Sequence, residues 1–321
     1  MKMMTLSEET QFRNVRRELR DGTVLKLVVT PDVRSSELAR FCERVAALLP
    51  QVSITREEGT EQEHPLIQLP NAVRYQGVPR GKEVPPFIDA LTWKIPSLGD
   101  RLRERLDAAP LHPAELELFV TPQCTFCPGM VRELLPLAAA SRRIQLTIID
   151  ASFFPEMAES RNIQAVPTLV LDGQFRWTGS CEIGELVDLL VTRDPASMGP
   201  ASIEMLLKEG AAPRLARMMV DYNRIFPALL ELLSHPQWPV RLGAMVVVEE
   251  LHALAPDLGR KMIDAFWSRF DAVPDQAKGD FLFLCTEVGE STDVPRIQAV
   301  LQREVSNSVR EAAEEALEKL K

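Results

Sequence analysis

Apolar positions in the first two-thirds of the chain alternate between strand and helix spacing, and they do so twice in the same order. Residues 12–21 read as a charged helix. Residues 23–30, Thr-Val-Leu-Lys-Leu-Val-Val-Thr, form a β-branched run of the kind that makes a buried strand. Residues 34–49 then set Leu38, Phe41, Cys42, Val45, Leu48 and Leu49 at helical spacing. Short strands are predicted near 52–56, 65–69 and 72–77, with Pro70-Asn71 as the turn between the last two and a closing helix over 83–93. The second round runs strand 114–121, helix 124–140, strand 143–150, then a hairpin of 167–171 and 174–178 around Asp172-Gly173, then a helix near 182–192.

The two rounds also share residues. Val29-Thr30-Pro31 matches Val120-Thr121-Pro122, each leading from strand to helix. Val73-Arg74-Tyr75-Gln76-Gly77 matches Phe175-Arg176-Trp177-Thr178-Gly179, and in that register Pro65 matches Pro167. Residues 12–108 and 112–195 therefore read as two copies of one β-α-β-β-β-α unit. From about residue 200 the pattern is helical only. Val240-Arg241-Leu242-Gly243-Ala244 and Val309-Arg310-Glu311-Ala312-Ala313 match, with a weaker copy at Ala277-Lys278. Helix pairs whose second helix opens on Val-Arg resemble HEAT repeats, which have a period of roughly 40 residues. Such pairs bury their apolar faces only by stacking on one another.

Length and composition fit this division. A chain of 321 residues exceeds what one core usually serves, and 45% hydrophobic with 26% charged residues is ordinary for a globular protein. The net charge of −9 and the lack of a basic stripe make nucleic acid and anionic membrane poor partners. No apolar h-region follows the first residues and no stretch is long enough to span a bilayer, so a cytoplasmic location is expected. In that reducing setting a close Cys pair is more often catalytic, redox-sensing or metal-binding than structural.

Cys124-Thr125-Phe126-Cys127 is such a pair, and it stands between a strand and a helix. Unpaired amides and the macrodipole at a helix N-terminus favour an anion, and a thiolate is one. Cys124 at the helix mouth is the expected nucleophile. Cys127, one turn in, is the expected resolving thiol. In the first copy Val33 and Ser36 stand at these positions, so that copy cannot do dithiol chemistry there. A zinc reading needs four ligands, but there is no second Cys-x-x-Cys, and His64, His112, His235 and His252 lack ligand spacing. Val166-Pro167-Thr168 puts a proline at a strand start, a place where a cis bond or a sheet edge is expected. Cys42 and Cys285 lie on apolar helix faces and read as core, and Cys181 reads as a partly buried small residue. Trp177, Trp238 and Trp267 read as packing residues. Resolving a mixed disulfide needs a proton acceptor. Glu83 is the candidate, against the plainer reading of a surface glutamate at a helix start.

These blocks carry a family resemblance. Residues 12–195 resemble the N-terminal domain of the flavoprotein subunit of alkyl hydroperoxide reductase and the tandem protein disulfide oxidoreductases. The matching residues are Gly77 to Glu83, Cys124 to Pro128, Ile149-Asp150-Ala151-Ser152-Phe153-Phe154 and Arg161 to Pro167. The resemblance implies two fused thioredoxin folds in one sheet. It also implies a cis-proline at Pro167 facing the Cys pair, and substrate alignment by Val166, Pro167, Thr168 and the Thr125-Phe126 turn. Thioredoxins proper carry an acid six residues before the first Cys, where this chain has Leu118; the resemblance puts Glu83 in the role of base instead. The family's flavin and nicotinamide domains have no counterpart in this sequence, which lacks a Gly-rich dinucleotide fingerprint. An outside electron donor, such as a thioredoxin-reductase-like flavoprotein, is therefore expected. Thr178-Gly179-Ser180-Cys181-Glu182 also resembles, loosely, the glutathione-binding stretch of glutaredoxins.

The expected architecture is an α/β thioredoxin-like unit without a Cys pair (1–108), a second unit bearing it (109–196) and an all-α HEAT-like array (197–321). The expected activity is thiol–disulfide exchange with protein partners, with no cofactor beyond the Cys124–Cys127 disulfide and an unknown protein held by the array. Two alternatives stay open: a redox-sensing adaptor without turnover, and a glutathione-dependent glutaredoxin-like protein.

Overall fold

The computed structural model describes residues 4–70, 73–108, 111–303 and 305–320. The chain divides into two compact units, Met1–Val191 and Thr192–Lys321. Both α/β copies fall within the first.

The first copy runs α1 (Leu6–Asn14), β1 (Thr23–Val29), α2 (Ser35–Leu48), β2 (Val52–Glu58), β3 (Leu66–Gln68), β4 (Val73–Gln76) and α3 (Val84–Thr92), the last preceded by a 3-10 turn at Gly81–Glu83. After α4 (Asp100–Asp107) the second runs β5 (Ala114–Val120), α5 (Cys127–Ala140), β6 (Ile144–Asp150), α6 (Pro155–Ser160), β7 (Thr168–Leu171), β8 (Phe175–Thr178) and α7 (Ile183–Thr192). The Pro70-Asn71 turn lies outside the described residues. The helix expected over 12–21 sits earlier: Thr5 and Glu8 form a reciprocal capping box that starts α1, which ends at Asn14.

Among the described residues, the eight strands form one sheet in the order β2-β1-β3-β4-β6-β5-β7-β8. Each half repeats the same order: second strand, first, third, fourth. In both copies the first two strands pair parallel and the rest antiparallel. The halves join where β4 pairs parallel with β6, Val73 opposite Leu146 and Gln76 opposite Ile149. It follows that β1 and β5 run in the same direction. The loops after them, Thr30 to Arg34 and Thr121 to Phe126, leave the same end of the sheet.

The helices cover this sheet with the residues their spacing promised. Leu38, Phe41, Cys42, Val45 and Leu48 of α2 are buried. Phe12, Phe41, Tyr75 and Phe87 meet edge-on at centroid distances of 5.0–6.2 Å, a geometry that suits aromatic quadrupoles. In the second copy Leu116, Leu118, Val131, Leu134, Leu169, Leu186 and Leu190 are fully buried.

The second unit contains α8 (Pro200–Lys208), α9 (Ala212–Asp221), α10 (Pro227–Leu232), α11 (Trp238–Leu254), α12 (Pro256–Trp267), α13 (Asp275–Val288), α14 (Val294–Leu301) and α15 (Asn307–Leu320). Helices α9, α11, α13 and α15 pack in one row; α8, α10 and α12 pack in another. Val240, Ala277 and Val309 of the recurring motif are all buried in the first turns of α11, α13 and α15. Arg241 next to Val240 is buried and ties α11 to α13 through Asp280 at 2.6 Å, while also donating to the carbonyls of His235 and Pro236. Asp293 is fully buried and accepts from Arg260 at 2.5 and 2.8 Å and from the Trp267 indole at 2.9 Å. Trp238 departs from its expected packing role: it opens the first turn of α11 facing outward and is 54% exposed. Among the described residues no helix is long and apolar enough to cross a membrane.

Candidate active site

Strand β5 delivers the chain to the Cys pair. Leu118 and Phe119 are buried in the sheet, and after Val120 the backbone turns through Thr121-Pro122-Gln123. The helix begins at Cys127 rather than Cys124, so Cys124 stands in the turn just before the α5 N-terminus. The N-cap residue Phe126 makes no side-chain capping bond, and Pro128 at the second position has no N–H to satisfy. Cys124 and Cys127 are joined as a disulfide with a Cα–Cα distance of 5.6 Å. Cys124 is half-buried and Cys127 fully buried. The Cys127 amide donates to Cys124 Sγ at 3.1 Å, which is the interaction that would hold a thiolate once the pair is reduced.

The residues around the pair divide by exposure. Thr125 and Phe126 project from the turn, Phe126 with 77% of its surface in solvent. The Val166–Pro167 bond is cis, as its place at the head of β7 suggested. The Val166 carbonyl lies 3.7 Å from Cys124 Sγ. The Pro167 carbonyl is already bonded to the Gly179 amide at 2.8 Å. Thr168 is turned inward: its hydroxyl donates to the Ala165 carbonyl at 2.7 Å and lies 3.2 Å from the Thr178 hydroxyl, fixing the loop rather than facing outward. Phe153, Met157, Ile163 and Val166 are partly buried around the cluster formed by Phe119, Ile149, Phe154 and Val170.

Glu83 comes from the other copy. The 3-10 turn Gly81–Glu83 packs on α5, whose first residue is Cys127. Glu83 is 4% exposed and neither carboxylate oxygen has a hydrogen-bond partner. Burial and the nearby Asp150 push its carboxyl up to about 7. It lines a cavity of about 20 Å³, shared with Tyr75, Gln76, Gly77, Val120, Pro122 and Asp150, room for about one water. Sequence reasoning gives Asp150 no role. It is the last residue of β6, and the β4–β6 pairing carries it beside Gly77. Gly77 has φ +153°, and a Cβ there would fall 2.7 Å from the Asp150 Cβ, so only glycine allows this approach. The local signal for Asp150 is its turn: Oδ1 accepts from the Ser152 amide and hydroxyl and from the Phe153 amide.

Cys42, Cys181 and Cys285 are buried free thiols. Burial pushes the Cys42 thiol up to about 12, and those of Cys181 and Cys285 higher still. Among the described residues, no three His, Cys, Asp or Glu side chains group as a set that could hold a metal ion.

A β-α-β-α-β-β-α order, a disulfide ahead of a helix N-terminus and a cis-proline opposite it define a thioredoxin-like fold, and residues 114–191 match the family model for a thioredoxin domain. More particularly, the first unit resembles the N-terminal domain of the alkyl hydroperoxide reductase flavoprotein and the protein disulfide oxidoreductases. The chain is 26% identical over 172 residues to the F component of alkyl hydroperoxide reductase from Staphylococcus epidermidis, covering 52% of this chain and 33% of that protein. It is 23% identical over 197 residues to the same component from Escherichia coli, covering 58% and 37% respectively. The chain thus spans about a third of the length of these relatives. A protein disulfide oxidoreductase from Aeropyrum pernix superposes with a TM-score of 0.50 at 14% identity, over 59% of this chain and 93% of that one, a likeness of fold.

Proposed function

We propose that this protein exchanges a dithiol for a disulfide with protein partners through Cys124 and Cys127. The observation that carries the reading is the asymmetry of the pair. Cys124 is accessible and receives the Cys127 amide, while Cys127 is closed off behind it. In the reducing direction, the Cys124 thiolate attacks one sulfur of a partner disulfide. The partner's other sulfur leaves as a thiolate and takes a proton from solvent. Cys127 then gives its proton to Glu83 and attacks Cys124 Sγ, expelling the partner's second thiolate. The partner gains two electrons and the Cys pair loses them. An external dithiol or flavoprotein donor, of the thioredoxin-reductase kind, restores the pair.

Val166 and Pro167 align the incoming chain along the open end of the sheet, with the Thr125-Phe126 turn as its apolar contact and Thr168 holding the loop. The helical unit acts as a HEAT-like array that holds a partner, in keeping with its two rows of stacked helices.

The test uses single serine variants. Cys127→Ser is expected to form a lasting mixed disulfide with a model protein disulfide and to react with an alkylating agent. Cys124→Ser is expected to do neither. If only the Cys124→Ser protein alkylates and traps, the roles are reversed; if neither traps and the wild type shows no turnover, the exchange reading fails.

A further inference from the structure

Several buried polar atoms in the first unit lack a hydrogen-bond partner, and those of Tyr75, Gln76 and Glu83 belong to side chains that line one small cavity. Glu83 has two unpaired oxygens, and they line the same small cavity as Asp150. The two carboxylates arrive from different copies. Glu83 enters from the turn before α3, and Asp150 from the end of β6. The glycine at 77, where a side chain would strike Asp150, is what lets them share the space.

The two carboxylates differ in what surrounds them. Glu83 is closed off from solvent, whereas Asp150 is half-buried. The three donors to Asp150 all reach Oδ1 and leave Oδ2 out of that turn. The other charged or titratable groups nearby are Tyr75 on β4, Arg80 ahead of the turn, and Asp89 on α3 paired with Arg132 on α5 at 2.7 Å. Arg80 acts on Asp150 by its charge, and Asp89 and Arg132 satisfy each other. None of these donates to Glu83.

We propose that Asp150 is a positioning residue for the proton chemistry of the Cys pair, the outer member of a carboxyl pair that holds Glu83's proton and passes it to solvent. This rests on the proposed exchange reaction. When Cys127 attacks Cys124 Sγ, its proton moves to Glu83. Glu83 is only 4% exposed, so the half-buried Asp150 on the same cavity offers the more exposed route to bulk water. A water bridging Glu83 and Asp150 carries it to Asp150 Oδ2, and the half-buried Asp150 releases it outside. Burial first, and then the negative charge of Asp150, raise the Glu83 carboxyl and make it a better base. Burial raises Asp150 as well, partly offset by the Ser152 and Phe153 bonds, so both carboxyls titrate above their ordinary range and the pair retains a proton toward neutral pH.

The test is Asp150→Asn in the full-length protein, alone and combined with Glu83→Gln. Asparagine keeps the Oδ1 acceptor of the turn, so the fold survives while the charge is lost. Two readouts are needed. The first is carbon-13 titration of the side-chain carboxyls in the oxidised protein, which needs no turnover. Removing the Asp150 charge is expected to make Glu83 a weaker base by about three- to tenfold. The second is the pH–rate profile for reduction of a model protein disulfide. Its acid limb is expected to move to lower pH in Asp150→Asn by the same factor, and not to move further when Asp150→Asn is added to Glu83→Gln. An unchanged Glu83 titration overturns the pair. A shifted titration with a superimposable rate profile overturns its part in the redox step. A shifted titration in a protein whose wild type reduces no disulfide supports the pair and refutes the exchange reading instead.

Discussion

Glu83→Gln should make the first unit more stable at neutral pH, with an advantage that grows as pH rises. The wild-type carboxyl is buried without a partner, and folding lifts it from an ordinary value near 4.5 to about 7. Between those values the folded protein keeps a proton that the unfolded chain has already released. Stability therefore falls as pH rises through this window, in the sense ν_U < ν_N. Below about 4.5 Glu83 is neutral in both states and contributes nothing to the slope. Above about 7 the loss is complete. One unit is worth about 1.4 kcal/mol, so the full span is about 3 kcal/mol, an upper figure because local relaxation or water reduces it. Glutamine has no charge to bury and should lack this slope. The assay is hydrogen exchange of the β5 amides, which open only when the unit unfolds, with wild type and variant compared at each pH from 5 to 8. The two proteins should agree near pH 5 and diverge in favour of the variant by about 2–3 kcal/mol at pH 8. A constant offset at every pH would show that Glu83 is ionised or solvated in the folded state, and the argument for it as a base would go with it.

Three further outcomes are expected. Gly77→Ala should cost about 2 kcal/mol, from a φ of +153° and a Cβ 2.7 Å from that of Asp150, read as a drop in the urea midpoint of the first unit. In the second unit, burial pushes the Asp293 carboxyl up but the Arg260 bonds and the Glu290 amide hold it below its ordinary value. Its stabilising part is thus present at neutral pH and lost as pH falls through that lowered value. Asp293→Ala, which leaves Arg260 and the Trp267 indole without their partner, should cost about 3 kcal/mol at neutral pH, checked by chemical denaturation followed through Trp267. Ending the chain after residue 196 should leave a folded protein that still reduces a model disulfide; aggregation or loss of that activity would mean the helical unit belongs to the redox fold.

The parts of this molecule that are readable in the sequence are those fixed by local chemistry. The β-branched runs, the Asp172-Gly173 hairpin, the Cys pair ahead of a helix and the proline at the head of β7 each declare themselves within a few residues. Sequence and structure part where an element depends on partners distant in the chain or is short and polar. The charged stretch from 12 suggests a helix there, while the Thr5–Glu8 box starts α1 at Leu6 and Phe12 anchors it in the core. Helices α4 and α6 carry little pattern: the first is mostly charged and the second is only six residues long. Tryptophan usually packs, yet the position of Trp238 in the first turn of α11 faces outward. Asp150 has no assignable role until the β4–β6 pairing is known, since nothing local to residue 150 points to Gly77 or Glu83.

The junction of β4 with β6 has a consequence for how the two copies can be separated. In sequence the second copy is a complete thioredoxin unit, with its own helices and its own disulfide. Within the eight-stranded sheet, however, β6 is an interior strand, covered on one side by β5 and on the other by β4. Strip away the first copy and β6 becomes an edge, with the peptide groups between Leu146 and Ile149 that face β4 left unpaired while the others stay bonded to β5. That run is uncharged and rich in β-branched residues, and it has no proline or lysine to discourage docking of a foreign strand. The copy without cysteines at the redox position therefore also works as a permanent edge guard, and an isolated second copy would be drawn toward strand exchange or fibre-like association before its redox chemistry could be measured.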